Sequence, residues 1–275
     1  MSLTDGEIVE LARELDDAQT SARAVTGRSA GEDWDVLSAY RVQRHLVARR
    51  RSRGEQPIGL KLGFTSRAKM RQMGVHDVIV GQLTDAMDVP DGGELSLDGL
   101  IQPRVEPEVA FRIARDVDLD DPRACVATAV DAVAPALEII DSRYRDFRFS
   151  YADVIADNTS AAAFVIGPWA PVRPLDNLAV RMTVGPRTVS TGTTGAILGD
   201  PIRGLRLLAG ICRRHAIPVR AGDVVLAGAA TAAVPLTGGP LDEGPLIEGF
   251  VTAQVADLGR VSVRVTRARK GGDAS

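Results

Sequence analysis

Two glutamates, Glu106 and Glu108, stand two residues apart in Ile101-Gln102-Pro103-Arg104-Val105-Glu106-Pro107-Glu108-Val109-Ala110-Phe111, among apolar residues suited to a core. Side chains alternate faces along a strand, so both carboxylates project to one side. Adjacent anions resist ionisation unless positive charge lies between them, and a hard divalent cation with oxygen ligands meets that need. Glu138, inside the apolar run Ala136-Leu137-Glu138-Ile139-Ile140-Asp141, is a third carboxylate that is costly to bury without a partner. Three strand carboxylates make an oxygen-rich site for Mg²⁺ or Mn²⁺, with coordination positions left for substrate and water. Spacing alone leaves a second reading open, in which Glu106 and Glu108 sit on an edge strand and pair with Arg104 and Arg112.

Lys61, enclosed in Gly59-Leu60-Lys61-Leu62-Gly63, would stabilise developing negative charge beside a bound anion. Standing alone, it would snorkel or join a salt bridge. In Asp141-Ser142-Arg143-Tyr144-Arg145-Asp146-Phe147-Arg148-Phe149, arginines and a tyrosine follow Glu138 closely enough to bind a second carboxylate on a substrate, or to decorate a solvated loop. The polar side chains of Asp153-Val154-Ile155-Ala156-Asp157-Asn158-Thr159-Ser160 would line a site or satisfy a turn. Thr191-Gly192-Thr193-Thr194-Gly195 lacks the spacing of a phosphate-binding loop. Neither a zinc motif nor a Gly-x-Ser-x-Gly elbow occurs.

These side chains need a scaffold. Ile8, Leu11 and Leu15, then Leu37, Tyr40, Val42, His45 and Leu46, recur at helical spacing and predict a helical N-terminal region over residues 1–55. Beyond Gln56-Pro57, short apolar runs bounded by Gly, Pro and Asp read as strands, beginning with Ile58-Gly59-Leu60-Lys61-Leu62-Gly63-Phe64. Ser66 reads as the N-cap of a short helix over 67–73, and Asp121-Pro122 as the start of a longer one over 121–134 that feeds a strand at 136–141. A third helix is expected over 201–215, and further strands near 163–166, 178–184, 223–227, 250–255 and 261–265. The expectation is an α+β protein with a β-rich catalytic domain over 56–266, antiparallel or mixed, and a disordered tail over 267–275.

At 275 residues, 45% hydrophobic and 25% charged, the chain is long enough to bury a sizeable core. A net charge of −3 gives no basic footprint for nucleic acid, and Arg49-Arg50-Arg51 with Arg53 reads as a solvated helix end. Cys125 and Cys212 read as buried reduced thiols in apolar helical contexts of a cytoplasmic protein. The start, Met1 to Glu7, lacks a signal peptide's basic and apolar regions, and no stretch approaches the roughly 20 apolar residues that span a membrane.

Gly59-Leu60-Lys61-Leu62-Gly63-Phe64-Thr65-Ser66, Pro103-Arg104-Val105-Glu106-Pro107-Glu108, Ala136-Leu137-Glu138-Ile139-Ile140-Asp141-Ser142-Arg143 and Ile155-Ala156-Asp157-Asn158 together resemble the fumarylacetoacetate hydrolase superfamily. Within it they are most similar to the hydratase and decarboxylase branch of aromatic meta-cleavage catabolism, over about Leu37 to Val265. The resemblance implies a mixed β-roll or sandwich core in which Glu106, Glu108 and Glu138 bind Mg²⁺ or Mn²⁺. Lys61 would lie beside the metal, and Leu62, Ile79, Asp157, Asn158, Ser160 and Thr231 would contact substrate. Hydratases of the branch tend to carry an acid two positions before the glycine that follows the short helix. In Gly74-Val75-His76-Asp77-Val78-Ile79-Val80-Gly81 that position is Ile79, which argues against hydration, and Ala230-Thr231-Ala232-Ala233-Val234-Pro235 is similar to the decarboxylase subgroup.

The implied reaction is decarboxylation of 2-oxohex-3-enedioate, a small 2-oxo dicarboxylic acid, to 2-hydroxypenta-2,4-dienoate. Cleavage of C5–C6 releases CO₂ and sends the electron pair through C3–C4 onto the C2 oxygen. Lys61 is expected to supply fixed positive charge near that oxygen, Arg143 or Tyr144 to orient the far carboxylate without gripping it, and Ile79 to favour departure of neutral CO₂. Two alternatives are a 2-oxopent-4-enoate hydratase on the same scaffold and a weakly active subunit that supports a partner hydratase. The resemblance further implies a homo-oligomer and a complex with a 2-oxopent-4-enoate hydratase.

Overall fold

A computed structural model describes residues 1–27, 34–66, 70–71, 77–237 and 249–267. The N-terminal periodicity folds as α1 (Asp5–Thr20) and α2 (Val36–Ser52). Thr4 and Glu7 close a capping box at the start of α1, satisfying backbone donors that no helical carbonyl reaches. The helices bury Ile8, Leu11 and Leu15 on one side and Ala39, Val42, Leu46 and Val47 on the other. Leu37 and His45, expected on that face, are exposed, because they fall outside the α2 stripe. The arginine cluster is not a solvated helix end. Buried Asp16 of α1 accepts from Arg49 Nε at 2.7 Å and from Arg53 at 2.7 and 2.8 Å, and Arg50 is itself buried against Glu55.

The strands are β1 (Pro57–Gly63), β2 (Ile79–Thr84), β3 (Glu94–Ser96), β4 (Arg104–Ile113), β5 (Val130–Ile140), β6 (Ala161–Ile166) and β7 (Ala170–Pro171). They continue as β8 (Ala179–Val184), β9 (Arg187–Thr193), β10 (Val224–Leu226), β11 (Val234–Pro235), β12 (Gly249–Val255) and β13 (Gly259–Thr266). One mixed sheet runs β2-β1-β10-β4-β5-β6, with β11 on β4 and β7 on β5; among the described strands only β1 and β10 run parallel in it. The second runs β3-β13-β12-β8-β9. Among the described residues, α3 (Tyr151–Ala156) and α4 (Ile202–His215) are further helices.

The outer face of the large sheet, through Leu60, Leu62, Val80 and Phe111, shares a continuous core with α1, α2 and α4. Val105, Leu137 and Ile139 pack against Val251, Ala253 and Val263 between the two sheets. On the inner face a small cluster of Leu83, Ala110, Ala134, Ala136, Phe164 and Leu226 floors the site described below. The helix expected over 121–134 does not form. A 3₁₀ turn spans Val126–Ala129 and β5 starts at Val130, so Cys125 is half-buried outside any helix, whereas Cys212 is buried in α4. Asp121-Pro122, which suggested the helix start, lies in turns before the 3₁₀ turn, and Ala134 is an inner-face residue of β5 in the cluster with Phe164 and Leu226. Of the helix expected over 67–73 only Met70 and Arg71 are described; both are helical, and Met70 N donates to Ser66 O at 3.0 Å. The tail beyond Arg267 lies outside the described residues. Among the described residues no helix is long and apolar enough to cross a membrane.

His215 ends α4 stacked on Tyr40, with ring centroids 3.7 Å apart, and Tyr40 Oη accepts a hydrogen bond from Val80 N at 3.1 Å. Burial, with help from Arg214 and Arg44, pushes the imidazole from 6.5 down to about 4. The unfolded chain therefore binds more protons than the folded one between those values, and stability falls as pH drops through that window. His215→Phe keeps a stacked ring without the titration. Thermal melts between pH 7 and pH 4 should show a smaller drop in Tm for this variant than for the wild type.

Candidate active site

The β4–β5 register sets Glu106 directly across from Glu138, and Glu108 follows two residues along on the same face. One carboxylate oxygen from each of Glu106, Glu108 and Glu138 lies within 4.8 Å of the others. Pairing of β1 with β10, and of β10 with β4, carries Lys61 to the same face. Its Nζ lies 2.8 Å from Glu138 Oε1 and donates to Thr159 O at 3.1 Å. Gly228 N donates to Glu108 Oε2 at 2.7 Å. Glu108 Oε1 and Glu138 Oε2 are buried without a hydrogen-bond partner among the described residues.

Electrostatics follow from that geometry. Burial, reinforced by the charge of Glu138, pushes the Glu108 carboxyl well above the ordinary carboxylate range despite Lys61. Burial acts to lower Lys61, but Glu138, Glu108 and Glu106 outweigh it and hold the ammonium above its ordinary value. One ammonium cannot balance three carboxylates. The partnerless oxygens, all hard donors, fit a divalent cation such as Mg²⁺ or Mn²⁺. Neighbouring arginines do not fill the role, since Arg112 pairs with Asp131 at 2.9 and 3.1 Å, and the Arg104 guanidinium lies over Phe147.

Of the other expected residues, Ile79 pairs with Gly63, two residues beyond Lys61 along β1, and belongs to the core shared with the helices. It fills the space above Gly63, which precludes a Cβ there because Ile79 Cγ1 would lie 2.8 Å away. Leu62 does not join the carboxylates: alternation turns its side chain to the outer face, beneath Gly204 of α4. Arg143 does not face the carboxylates either. Its guanidinium is buried and consumed by Asp157 Oδ1, Asp157 O, Asp141 O and Ala161 O. Tyr144 is buried and lines a cavity of about 310 Å³ against Leu11 and Glu14 of α1. Arg145 and Arg148 are exposed.

Asp157, Asn158 and Ser160 build a turn. Ser160 Oγ donates to Asp157 Oδ2 at 3.1 Å, and the Asn158 amide both accepts from Gln82 N and donates to Gln82 O at 2.8 Å. Burial pushes the Asp157 carboxyl up to about 6, although Arg143 opposes the shift. Thr231 is half-buried in the segment that Ala230 N ties to Pro107 O at 2.9 Å, beside the paired glutamates.

Sequence reasoning missed Thr159, Gly81 and Gly228. Asn158, Thr159 and Ser160 all take left-handed backbone angles, at φ 48°, 52° and 59°. Such strain concentrates at functional sites, and here it aims the Thr159 carbonyl at Lys61. Gly81 lets this turn approach, since a Cβ would overlap Thr159 Oγ1 and lie 2.7 Å from Asn158 O. Gly228, at φ 102°, presents its N–H to Glu108. A lone glycine within a strand run, as at Gly81, is a legible sign of close backbone approach.

A curled mixed sheet carrying three acids and a lysine on its inner face defines a metal-dependent enzyme site, and residues 65–266 match the fumarylacetoacetate (FAA) hydrolase C-terminal family model. The chain belongs to this family. It is 44% identical over 264 residues to a 4-oxalocrotonate decarboxylase of Pseudomonas sp., covering 96% of this chain and 100% of that protein. A 2-keto-4-pentenoate hydratase of Paraburkholderia xenovorans (strain LB400) is 37% identical, over 82% of this chain and 86% of that one. The solved structure of 4-oxalocrotonate decarboxylase from Pseudomonas putida G7, complexed with magnesium and adipate, superposes with a TM-score of 0.84 at 33% identity, covering 96% of this chain and 99% of that one.

A cation requires Glu108 ionised, whereas its surroundings favour the proton. Mn²⁺ titrations followed by the free-ion paramagnetic signal should therefore show affinity rising with pH. Glu108→Gln should weaken binding by at least about tenfold, or about 1.4 kcal/mol.

Proposed function

We propose that this chain is a divalent-metal-dependent carboxy-lyase that converts 2-oxohex-3-enedioate to 2-hydroxypenta-2,4-dienoate and CO₂ in aromatic meta-cleavage catabolism. The observation that carries the reading is the convergence of buried Glu108, Glu138 and Lys61 with half-buried Glu106, in a chain aligned along the whole length of a 4-oxalocrotonate decarboxylase. Glu106, Glu108 and Glu138 would hold Mg²⁺ or Mn²⁺, which when bound supplies Lewis-acid stabilisation to an adjacent oxyanion.

The remaining work falls to the chain itself. Lys61, kept protonated by the surrounding carboxylates, is a fixed cation rather than a base. As C5–C6 breaks and the electron pair reaches the C2 oxygen, its charge is opposed by that ammonium in a site shielded from water. A proton taken up on the oxygen completes the dienol. Glu138 Oε1 and Thr159 O fix the position of Nζ, so little reorganisation is needed as charge develops. Ile79 presents hydrocarbon over Gly63, two residues along β1 from Lys61, which would favour release of an uncharged product and offers no acid for water addition.

Hydration on the same scaffold is the second reading, supported by the likeness to the P. xenovorans hydratase. We further propose that Asp157, Asn158 and Ser160 act through the turn they build, that Thr231 contributes to the site margin, and that the enzyme is cytoplasmic and homo-oligomeric. Its unstable dienol would pass to an associated 2-oxopent-4-enoate hydratase.

Protein loaded with Mg²⁺ should release CO₂ from 2-oxohex-3-enedioate and leave 2-hydroxypenta-2,4-dienoate unconsumed in the ultraviolet spectrum. Loss of the dienol without CO₂ would establish the hydratase instead, and inertness toward both compounds would leave a supporting subunit. Lys61→Met should lower kcat by about 10²–10³-fold without lowering Mn²⁺ affinity; near wild-type turnover would exclude the electrostatic role.

A further inference from the structure

Arg104 begins β4 two residues before Glu106, so its side chain leaves the strand on the face that carries the three acids. It pairs with Ile140, the last residue of β5, and with Pro235 of β11, at the end of the sheet toward which Lys61, Gly63 and Gly228 also lie. The side chain is half-buried, and its guanidinium carbon lies 4.1 Å from the centroid of the Phe147 ring. Among the described residues no carboxylate pairs with it. The neighbouring arginines are committed or exposed: Arg143 to Asp157, Arg112 to Asp131, and Arg145 and Arg148 to solvent.

The aromatic support is built into the fold. Gln102 Nε2 donates to Ser142 O at 2.8 Å and Tyr144 O at 2.7 Å, and its Oε1 accepts from Asp146 N at 3.0 Å. Asp146 and Phe147 then take left-handed angles, φ 59° and 55°, which bring the ring against Arg104. A guanidinium stacked on a ring loses water from one face while its in-plane N–H donors stay free for a planar, bidentate acceptor.

We propose that Arg104 receives the second carboxylate of the substrate and thereby selects dicarboxylic over monocarboxylic 2-oxo acids. This rests on the function proposed above. It replaces Arg143 and Tyr144, which the fold turns away from the acids, as the anchor for the distal end. The span agrees: two residues of strand advance about 6.6 Å, and the carboxyl carbons of a six-carbon diacid, joined by bonds of about 1.5 Å, lie about 6 Å apart.

The test uses 2-oxoadipate and 2-oxohexanoate, which share the 2-oxo acid end and differ in the distal carboxylate. Neither has the C3–C4 double bond that decarboxylation requires. Calorimetric titration of the Mg²⁺-loaded full chain should show 2-oxoadipate binding at least about tenfold more tightly, as a charged hydrogen-bonded pair provides. Arg104→Met should abolish that preference by weakening 2-oxoadipate alone, and Phe147→Leu should reduce it. Should Arg104→Met fail to fold, Arg104→Gln carries the same measurement. A wild-type protein without preference, a variant that keeps it, or equal weakening of both compounds overturns the role of Arg104 while the carboxy-lyase reading stands. Failure of the wild type to bind either compound, together with no CO₂ from 2-oxohex-3-enedioate, overturns both.

Discussion

Three carboxylates and one ammonium converge on the inside of a curved sheet, and the rest of the structure is arranged around keeping them there. Their mutual repulsion exceeds what Lys61 can neutralise, so each must be held by backbone that cannot yield. The antiparallel register of β4 and β5 holds Glu106 against Glu138, and a slip of one residue in β4 would turn Glu106 and Glu108 to the opposite face from Glu138. Lys61 arrives from the other side through the parallel pairing of β1 with β10. Small side chains at Ala110, Ala134 and Ala136 leave room beneath them.

The ammonium is steered from a distance. Arg143 ties Asp157 to the carbonyls of Asp141 and Ala161, Asp157 gathers Ser160, and Asn158 grips the backbone of Gln82. Together these bonds stabilise three consecutive left-handed residues that an isolated peptide would rarely adopt. The product of that network is one carbonyl, that of Thr159, held against Nζ. The buried Arg143 thus acts as framework, and the polar residues near it hold the turn that orients a backbone group.

How far the sequence foretold this depends on the kind of signal. Glu106, Glu108, Glu138 and Lys61 were legible because a charged residue inside an apolar strand has few bland explanations and strand alternation fixes its face. The α+β class and the helical N-terminal layer followed from periodicity. Arg143 and Tyr144 were misjudged because their types announce binding chemistry while their direction is set by contacts distant in sequence, at Asp157 and at α1. Leu62 was misassigned although alternation with Lys61 already implied the outer face. The helix expected over 121–134 failed because the Asp121-Pro122 start signal is equally a turn signal, and the chain from Val130 is strand β5. The Thr159 carbonyl left no trace, since every residue carries one.

The boundary of the family match adds a point about modularity. The matched segment begins at residue 65, after β1 has ended, yet Lys61 lies on β1 and Leu62 beside it packs under α4 in the core shared with α1 and α2. The acids are thus on one side of that boundary and their counter-charge on the other. The inherited module and the working catalyst have different edges. A fragment cut at the first would keep a cation-binding cup with an open seam where β1 had been, so the N-terminal helices belong to the chemical unit as much as to the architectural one.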